Sequence, residues 1–322
     1  MIGKILTISA LTAMLLFSGC DNDAEDRVST QKMLDSGDFD GVIESLEEKE
    51  YRTADDNLKL ASAYMDKSNY SLVDLISIIS DTKDDSENSF NSFLVGISED
   101  KKEDSLVDLE KAIYYYGEII SADAKISKYR AVSENTNLET IKLFLGLASL
   151  TRTAVVLDYL GDVTKLEDSG LDGDLLASSC AMRKVYSNNI QGCASVEYTG
   201  SLDIDGYSYE KMDVVLFGGN GIVYHYLAND KKDEMILTNY KTHYDSTLYP
   251  MPVKNETLTV SNELIDSLND AFTYIIDAAP DDLKDDIKDY RDEIDRDRNT
   301  VISVTEFTDY IGEQMIKNQR GD

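Results

Sequence analysis

The chain has 322 residues, 42% of them hydrophobic, enough to bury a core in one large domain or in two or three small ones. Its 62 acidic and 31 basic side chains leave a formal net charge of −31, so phosphate backbones and anionic lipid surfaces repel it, and nucleic acid is excluded as a partner. The same charge concentrates divalent cations around the body, which would need a covalent tether to stay on a membrane.

The first 20 residues hold one basic side chain (Lys4), an uncharged run from Ile5 to Phe17, and two small residues ahead of Cys20. That is the layout of an export signal. The run of 13 residues is too short for a membrane-crossing helix, which needs about 20. The ending Phe17-Ser18-Gly19-Cys20 resembles the lipobox of bacterial lipoproteins, with Phe17 at a place more often leucine. The resemblance implies cleavage before Cys20, fatty acyl chains such as palmitate on that residue, and a lipid-anchored protein on the extracytoplasmic side of a bacterial cell envelope. An ordinary cleaved signal followed by an accidental cysteine is the other reading. Asp21 resembles an inner-membrane retention signal of enterobacterial lipoproteins, and the choice between inner and outer membrane stays open. If lipid consumes Cys20, the resemblance leaves Cys180 and Cys193 to pair in an oxidising compartment. The bridge would close a short loop and add roughly 3 kcal/mol. A redox pair or a metal site are the alternatives, but the two cysteines stand too far apart for thioredoxin-type chemistry, and His225 and His243 are not at metal-ligand spacing to them.

Residues 21–29 are polar and charged and are expected to form a short tether. Residues 30–165 are expected to form helical hairpins. Phe39 after Gly37-Asp38 and Tyr70 after Ser68-Asn69 take matching places, and this helix, turn, helix rhythm resembles tetratricopeptide repeats. The resemblance implies that Ala61 and Tyr64 pack and that the repeat surface binds a protein partner. The spacing of 31 residues is short of the family's usual length, and Val42 and Val73 stand where alanine is usual, so a generic α-hairpin is the alternative. Either way, each helix pair must stack on the next to bury its apolar face. Leu106, Leu109, Ile113, Tyr116 and Ile120 predict one apolar stripe on a helix from about Glu103. Tyr114, Tyr115 and Tyr116 read as core and rim of that helix. The next predicted helix, Asn137 to Gly161, has Leu138, Ile141, Leu145 and Ala148 on one face and Phe144, Leu147, Leu150 and Leu157 on others, which places it at the centre of a bundle. Glu139, Lys142, Arg152 and Asp158 would be costly in lipid and argue against a second span.

Residues 166–253 change character. A short helix from about Asp174 to Tyr186 carries Cys180, and β-rich runs follow at Val196, Met212 to Phe217, Ile222 to Leu227 and Met235. Gly218-Gly219-Asn220-Gly221 suits a hairpin turn, and no helix with Lys and Ser or Thr follows to make it a phosphate loop. Pro250 and Pro252 mark a boundary. Residues 254–322 are helical again, with Leu264, Leu268, Phe272, Ile275 and Ile276 on one face and Leu283, Ile287, Tyr290 and Ile294 on the next.

Between the last two helices, Asp295-Arg-Asp-Arg-Asn-Thr-Val-Ile-Ser-Val-Thr-Glu306 resembles an EF-hand calcium loop. Calcium takes six to eight hard oxygens, and alternate loop positions supply them. The resemblance implies side-chain oxygens from Asp295, Asp297 and Asn299, the carbonyl of Val301, a water-bridged contact from Ser303, and both carboxylate oxygens of Glu306, with Ile302 at the hydrophobic position. Thr300 departs from the family, which has glycine there for a turn through positive φ; a β-branched residue costs on the order of 1–3 kcal/mol at such a place. A solvated acidic turn is the competing reading. EF-hands usually pair, and no second loop is found; Asp203-Ile-Asp205-Gly206 has its glycine too early.

No nucleophile elbow, zinc-protease pair or nucleotide loop is present, and Ser29-Thr-Gln-Lys32 matches the penicillin-binding SxxK in letters only. His225 reads as a structural residue on a strand. The expected fold is therefore mainly α: a tetratricopeptide-like array of helical hairpins, a small antiparallel β insertion, and a C-terminal EF-hand-like helix pair. The expected function is a lipid-anchored envelope protein of binding or scaffold type with a structural calcium ion and no enzymatic activity. An envelope hydrolase using paired carboxylates and an accessory binding component of a transporter are the alternatives.

Overall fold

The structure is a computed structural model that describes residues 23–81, 89–126 without 101 and 103, 138–166 without 161 and 162, most of 176–204, then 207–217, 221–227, 234–236 and 259–320. It is mainly helical, with two small antiparallel sheets. The leader, Cys20, the Gly218–Asn220 turn, His243 and both prolines at the expected boundary lie outside the described residues. Helix α1 (Asp23–Ser36) begins inside the segment expected to be a tether.

Helices α1 and α3 (Ala54–Lys67) end with the same device. After α1, the Gly37 N–H bonds to the Leu34 carbonyl and the Asp38 N–H to that of Met33; after α3, Asn69 bonds to Asp66 and Tyr70 to Met65. Gly37 (φ +77°) and Asn69 (φ +74°) supply the left-handed residue that such a stop requires. Tyr70 is thus the counterpart of Asp38, one place away from the match with Phe39 that the sequence suggests. Asp38 then caps α2 (Phe39–Glu47) through the Gly41 N–H, and Thr53 with Asp56 caps α3 reciprocally.

The hairpins do not stack as a simple series. Helix α3 lies along α2 and α6 (Ser105–Ile126), whereas α4 (Leu72–Asp81) sits against α5 (Ser89–Glu99), α7 (Leu138–Leu160) and a C-terminal helix. Val42 is buried and Val73 is exposed, so the two positions expected to be equivalent are not. Because α6 is held between α3 and α7, its buried set is broader than one stripe: Ala112, Tyr115 and Ile119 join Leu106, Leu109 and Tyr116, while Tyr114 stays at the rim.

Helix α7 is the centre. By length and composition it is long and apolar enough to cross a membrane, yet most of that stretch is buried inside the bundle. Its charges find protein partners: Arg152 bonds twice to Glu110 on α6, and Asp158 accepts from the Ser98 hydroxyl on α5 at 2.6 Å. Gly146 lets α8 (Asn262–Ala278) lie directly on α7, since a Cβ there would stand 2.7 Å from Ile275 Cγ1 and 3.0 Å from the Ala271 carbonyl. Helices α8, α9 (Asp281–Ile294) and α10 (Val304–Arg320) therefore share one hydrophobic core with the N-terminal helices.

The β region is a meander of β1 (Cys193–Ile204), β2 (Tyr207–Leu216) and β3 (Gly221–Leu227), antiparallel throughout, with the β2–β3 hairpin where the glycine-rich turn predicts it. A second pair joins β4 (Glu234–Ile236) to β5 (Thr259–Ser261), which leads straight into α8. Cys180 and Cys193 form a disulfide that ties the helical residues before the meander to the first residue of β1.

Candidate metal centre

The α9–loop–α10 unit is docked on α5 by its own side chains. Ile287, Tyr290 and Ile294 on α9 and Phe307, Tyr310 and Ile311 on α10 are buried, and Tyr290 and Tyr310 meet α5. Phe90 lies 6.0 Å, centroid to centroid, from both Tyr290 and Tyr310, and Phe93 lies 5.7 Å from Tyr290. Glu293 reaches the first turn of α5, accepting from the Ser89 and Phe90 N–H groups at 3.0 and 3.2 Å. Tyr310 donates to Glu293 and to the Asn91 side chain. A carboxylate at a helix N-terminus satisfies two orphan donors and meets the positive end of the dipole. Burial nevertheless raises the Glu293 carboxyl, against the lowering effect of these bonds.

The loop between the helices gathers Asp295, Asp297 and Glu306, each offering a carboxylate oxygen within 4.8 Å of the others. Asp295 is buried, Glu306 half-buried and Asp297 exposed. These three residues could hold a metal ion. Backbone donors set their positions: Asp295 accepts from Asn299 N–H at 3.2 Å and Thr300 N–H at 2.6 Å, and Asp297 accepts from Asn299 N–H at 3.0 Å. Glu306 is the third residue of the α10 capping box. Its Oε2 accepts from the Ser303 N–H and hydroxyl at 2.9 and 2.8 Å, and its Oε1 from the N–H groups of Arg296 and Asp297 at 3.1 and 3.3 Å. Burial pushes the Glu306 carboxyl up, but these hydrogen bonds outweigh it and hold the group below its ordinary range, so it stays ionised.

Thr300 does adopt the left-handed backbone that the loop pattern demands, at φ +73°, and Arg298 joins it at φ +56°. The turn is therefore made despite the missing glycine. The remaining expected ligands are less advanced. Asn299 turns its Nδ2 to Asp297 and uses its carboxamide oxygen to accept from Val301 N–H at 2.8 Å, and the Ser303 hydroxyl serves the helix cap. All donors in the set are oxygens, which suits a hard cation over a soft one.

Three residues that tie the loop or its helices to the rest of the fold escape sequence reading. Asn269 on α8 bonds to the buried Ile302 in both directions; Arg183, itself 1% exposed, spans from the Gln191 carbonyl beside the disulfide to Asp309 on α10, both at 3.0 Å; and Glu293 anchors α5. Glu293 could not be picked out among 62 acidic residues. Asn269 offers only a weak signal, a carboxamide flanking the apolar face of α8. In comparisons with protein-family models, curated proteins and solved structures, none matches this chain.

Proposed function

We propose that this chain is a lipid-anchored bacterial envelope protein of binding or scaffold type whose C-terminal loop carries a structural calcium ion. The observation that carries the reading is the Asp295, Asp297 and Glu306 cluster set between two helices that already grip α5. A bound ion would neutralise the crowded carboxylates and fix α9 relative to α10. With Phe90 packed against both Tyr290 and Tyr310, loading would staple the bundle and would not uncover an apolar face, as a sensor must. Abundant calcium outside the cytoplasm would fill even a weak site.

The export-type leader and Phe17-Ser18-Gly19-Cys20 support the anchor, and the remaining two cysteines forming a disulfide agrees with an oxidising compartment. The helical body with its tetratricopeptide-like first hairpin supports protein binding, by analogy of fold. The hydrolase alternative needs two adjacent, unusually protonated carboxylates in a cleft of the β region, whereas the carboxyl groups that burial raises, Asp66, Asp108, Asp270 and Glu293, all stand on helices. Two measurements test the proposal. Mass spectrometry of the mature protein should find acyl chains on Cys20; an unmodified thiol would remove the anchor. Pull-down of the lipidated protein from detergent-solubilised envelope should recover a stoichiometric partner; turnover of cell-wall sugars with no partner would favour the hydrolase.

A further inference from the structure

Among the described residues the loop has no second copy to lean on, yet its central peptide is held. Ile302 is 1% exposed, lies in no strand, and has both backbone polar groups inside the protein. A buried N–H and C=O must each find a partner. Both find the same one. The Ile302 N–H donates to Asn269 Oδ1 and Asn269 Nδ2 donates to the Ile302 carbonyl, each at 2.8 Å. A carboxamide has one acceptor oxygen and an amino donor, so a single side chain on α8 presents to the loop what a neighbouring extended strand would present.

This clamp constrains a candidate ligand directly. The Val301 carbonyl and the Ile302 N–H belong to one planar peptide unit, and no cis peptide occurs among the described residues. In a trans unit the carbonyl and the N–H point in opposite directions. With its N–H turned to Asn269, the unit must aim the Val301 carbonyl away from α8. Val301 is the position expected to give calcium its backbone oxygen.

We propose that Asn269 is a positioning residue for the metal loop, standing in for the missing partner loop and fixing the peptide that delivers the Val301 carbonyl. This rests on the calcium reading of Asp295, Asp297 and Glu306.

The test compares three full-length proteins: wild type, Asn269→Ala, and Ile265→Ala, which removes a buried apolar side chain from the same helix and leaves the Asn269 carboxamide in place. Calcium affinity is measured by titration calorimetry. Asn269→Ala should weaken binding roughly tenfold or more, the range seen when a residue supporting a ligand is removed. Ile265→Ala should leave affinity within about twofold even with a lower melting temperature. Terbium in place of calcium gives a second readout. Luminescence lifetimes in H2O and D2O count coordinated waters, and Asn269→Ala should hold about one more than wild type, replacing the lost carbonyl. Wild type that binds neither ion sinks the calcium reading, and with it this proposal. Wild type that binds, with Asn269→Ala equal to it in affinity and in water count, overturns the positioning role and leaves the calcium site standing. Equal losses in Asn269→Ala and Ile265→Ala would likewise overturn it, reducing Asn269 to general stability.

Discussion

Replacing Glu306 by glutamine separates the two tasks this side chain performs. Its two oxygens accept four hydrogen bonds, from Ser303 N–H and Oγ and from Arg296 and Asp297 N–H. Glutamine keeps one acceptor oxygen and turns an amino group toward the other donors, so the cap of α10 weakens. Loss of a cap costs about 1 kcal/mol, and the charge-assisted character of these bonds brings the expected cost to about 1–2 kcal/mol. Calcium adds a second term. At a free concentration a hundredfold above Kd, wild type should gain about 2.7 kcal/mol, which for a chain of this size raises Tm by roughly 4 °C. Glu306→Gln removes the only residue expected to give two ligand oxygens, and its gain should shrink to a small fraction of that. The assay is differential scanning calorimetry of the full chain in chelated buffer and then with calcium up to about 10 mM, spanning the range of weak extracellular sites. A magnesium series at matched ionic strength subtracts general screening of the chain's negative charge. Equal calcium-induced shifts in wild type and variant would show that the ion acts elsewhere, and the loop would revert to a hydrogen-bonded acidic turn.

Burial lifts Asp108 on α6 to about 6, with Asp104 and Asp40 adding to the rise and Lys67 and Lys102 opposing it. Because the folded value lies above the unfolded one, ionisation penalises the fold as pH rises through about 4 to 6, and the penalty is complete above that window. Asp108→Asn should therefore stabilise by roughly 2–3 kcal/mol at pH 8 and by little at pH 4, read as the difference in urea unfolding free energy; a gain that does not vary with pH would refute the assignment. Gly146→Ala should destabilise by about 1–3 kcal/mol, because the added methyl meets the backbone carbonyl of Ala271, which cannot rotate away; unchanged stability would mean that α7 and α8 are not in contact there. Arg183→Met should cost about 3 kcal/mol, at the low end for a broken buried pair because Asp309 keeps 22% of its side chain in water. A loss below about 0.5 kcal/mol would place Arg183 in solvent.

By itself the sequence determined what local chemistry can dictate. Turn residues such as Gly37, Asn69 and the Gly218 to Gly221 run, helical periodicity in the C-terminal faces, and apolar coverage of α7 all depend on neighbours a few positions away, and the helices and hairpin formed there. The spacing of Asp295, Asp297 and Glu306 was legible for the same reason, and so was the positive φ forced on Thr300. Tertiary structure decided which helix lies beside which. Tyr70 and Phe39 read as equivalents, yet the hydrogen bonds at the helix ends align Tyr70 with Asp38, and α3 packs chiefly against α6. It also decided who supports the loop. Asn269 to Ile302, Glu293 to Ser89 and Arg183 to Asp309 join residues 33, 204 and 126 positions apart. A polar side chain has the same local pattern whether it faces water or a distant backbone group, so only the folded arrangement tells which.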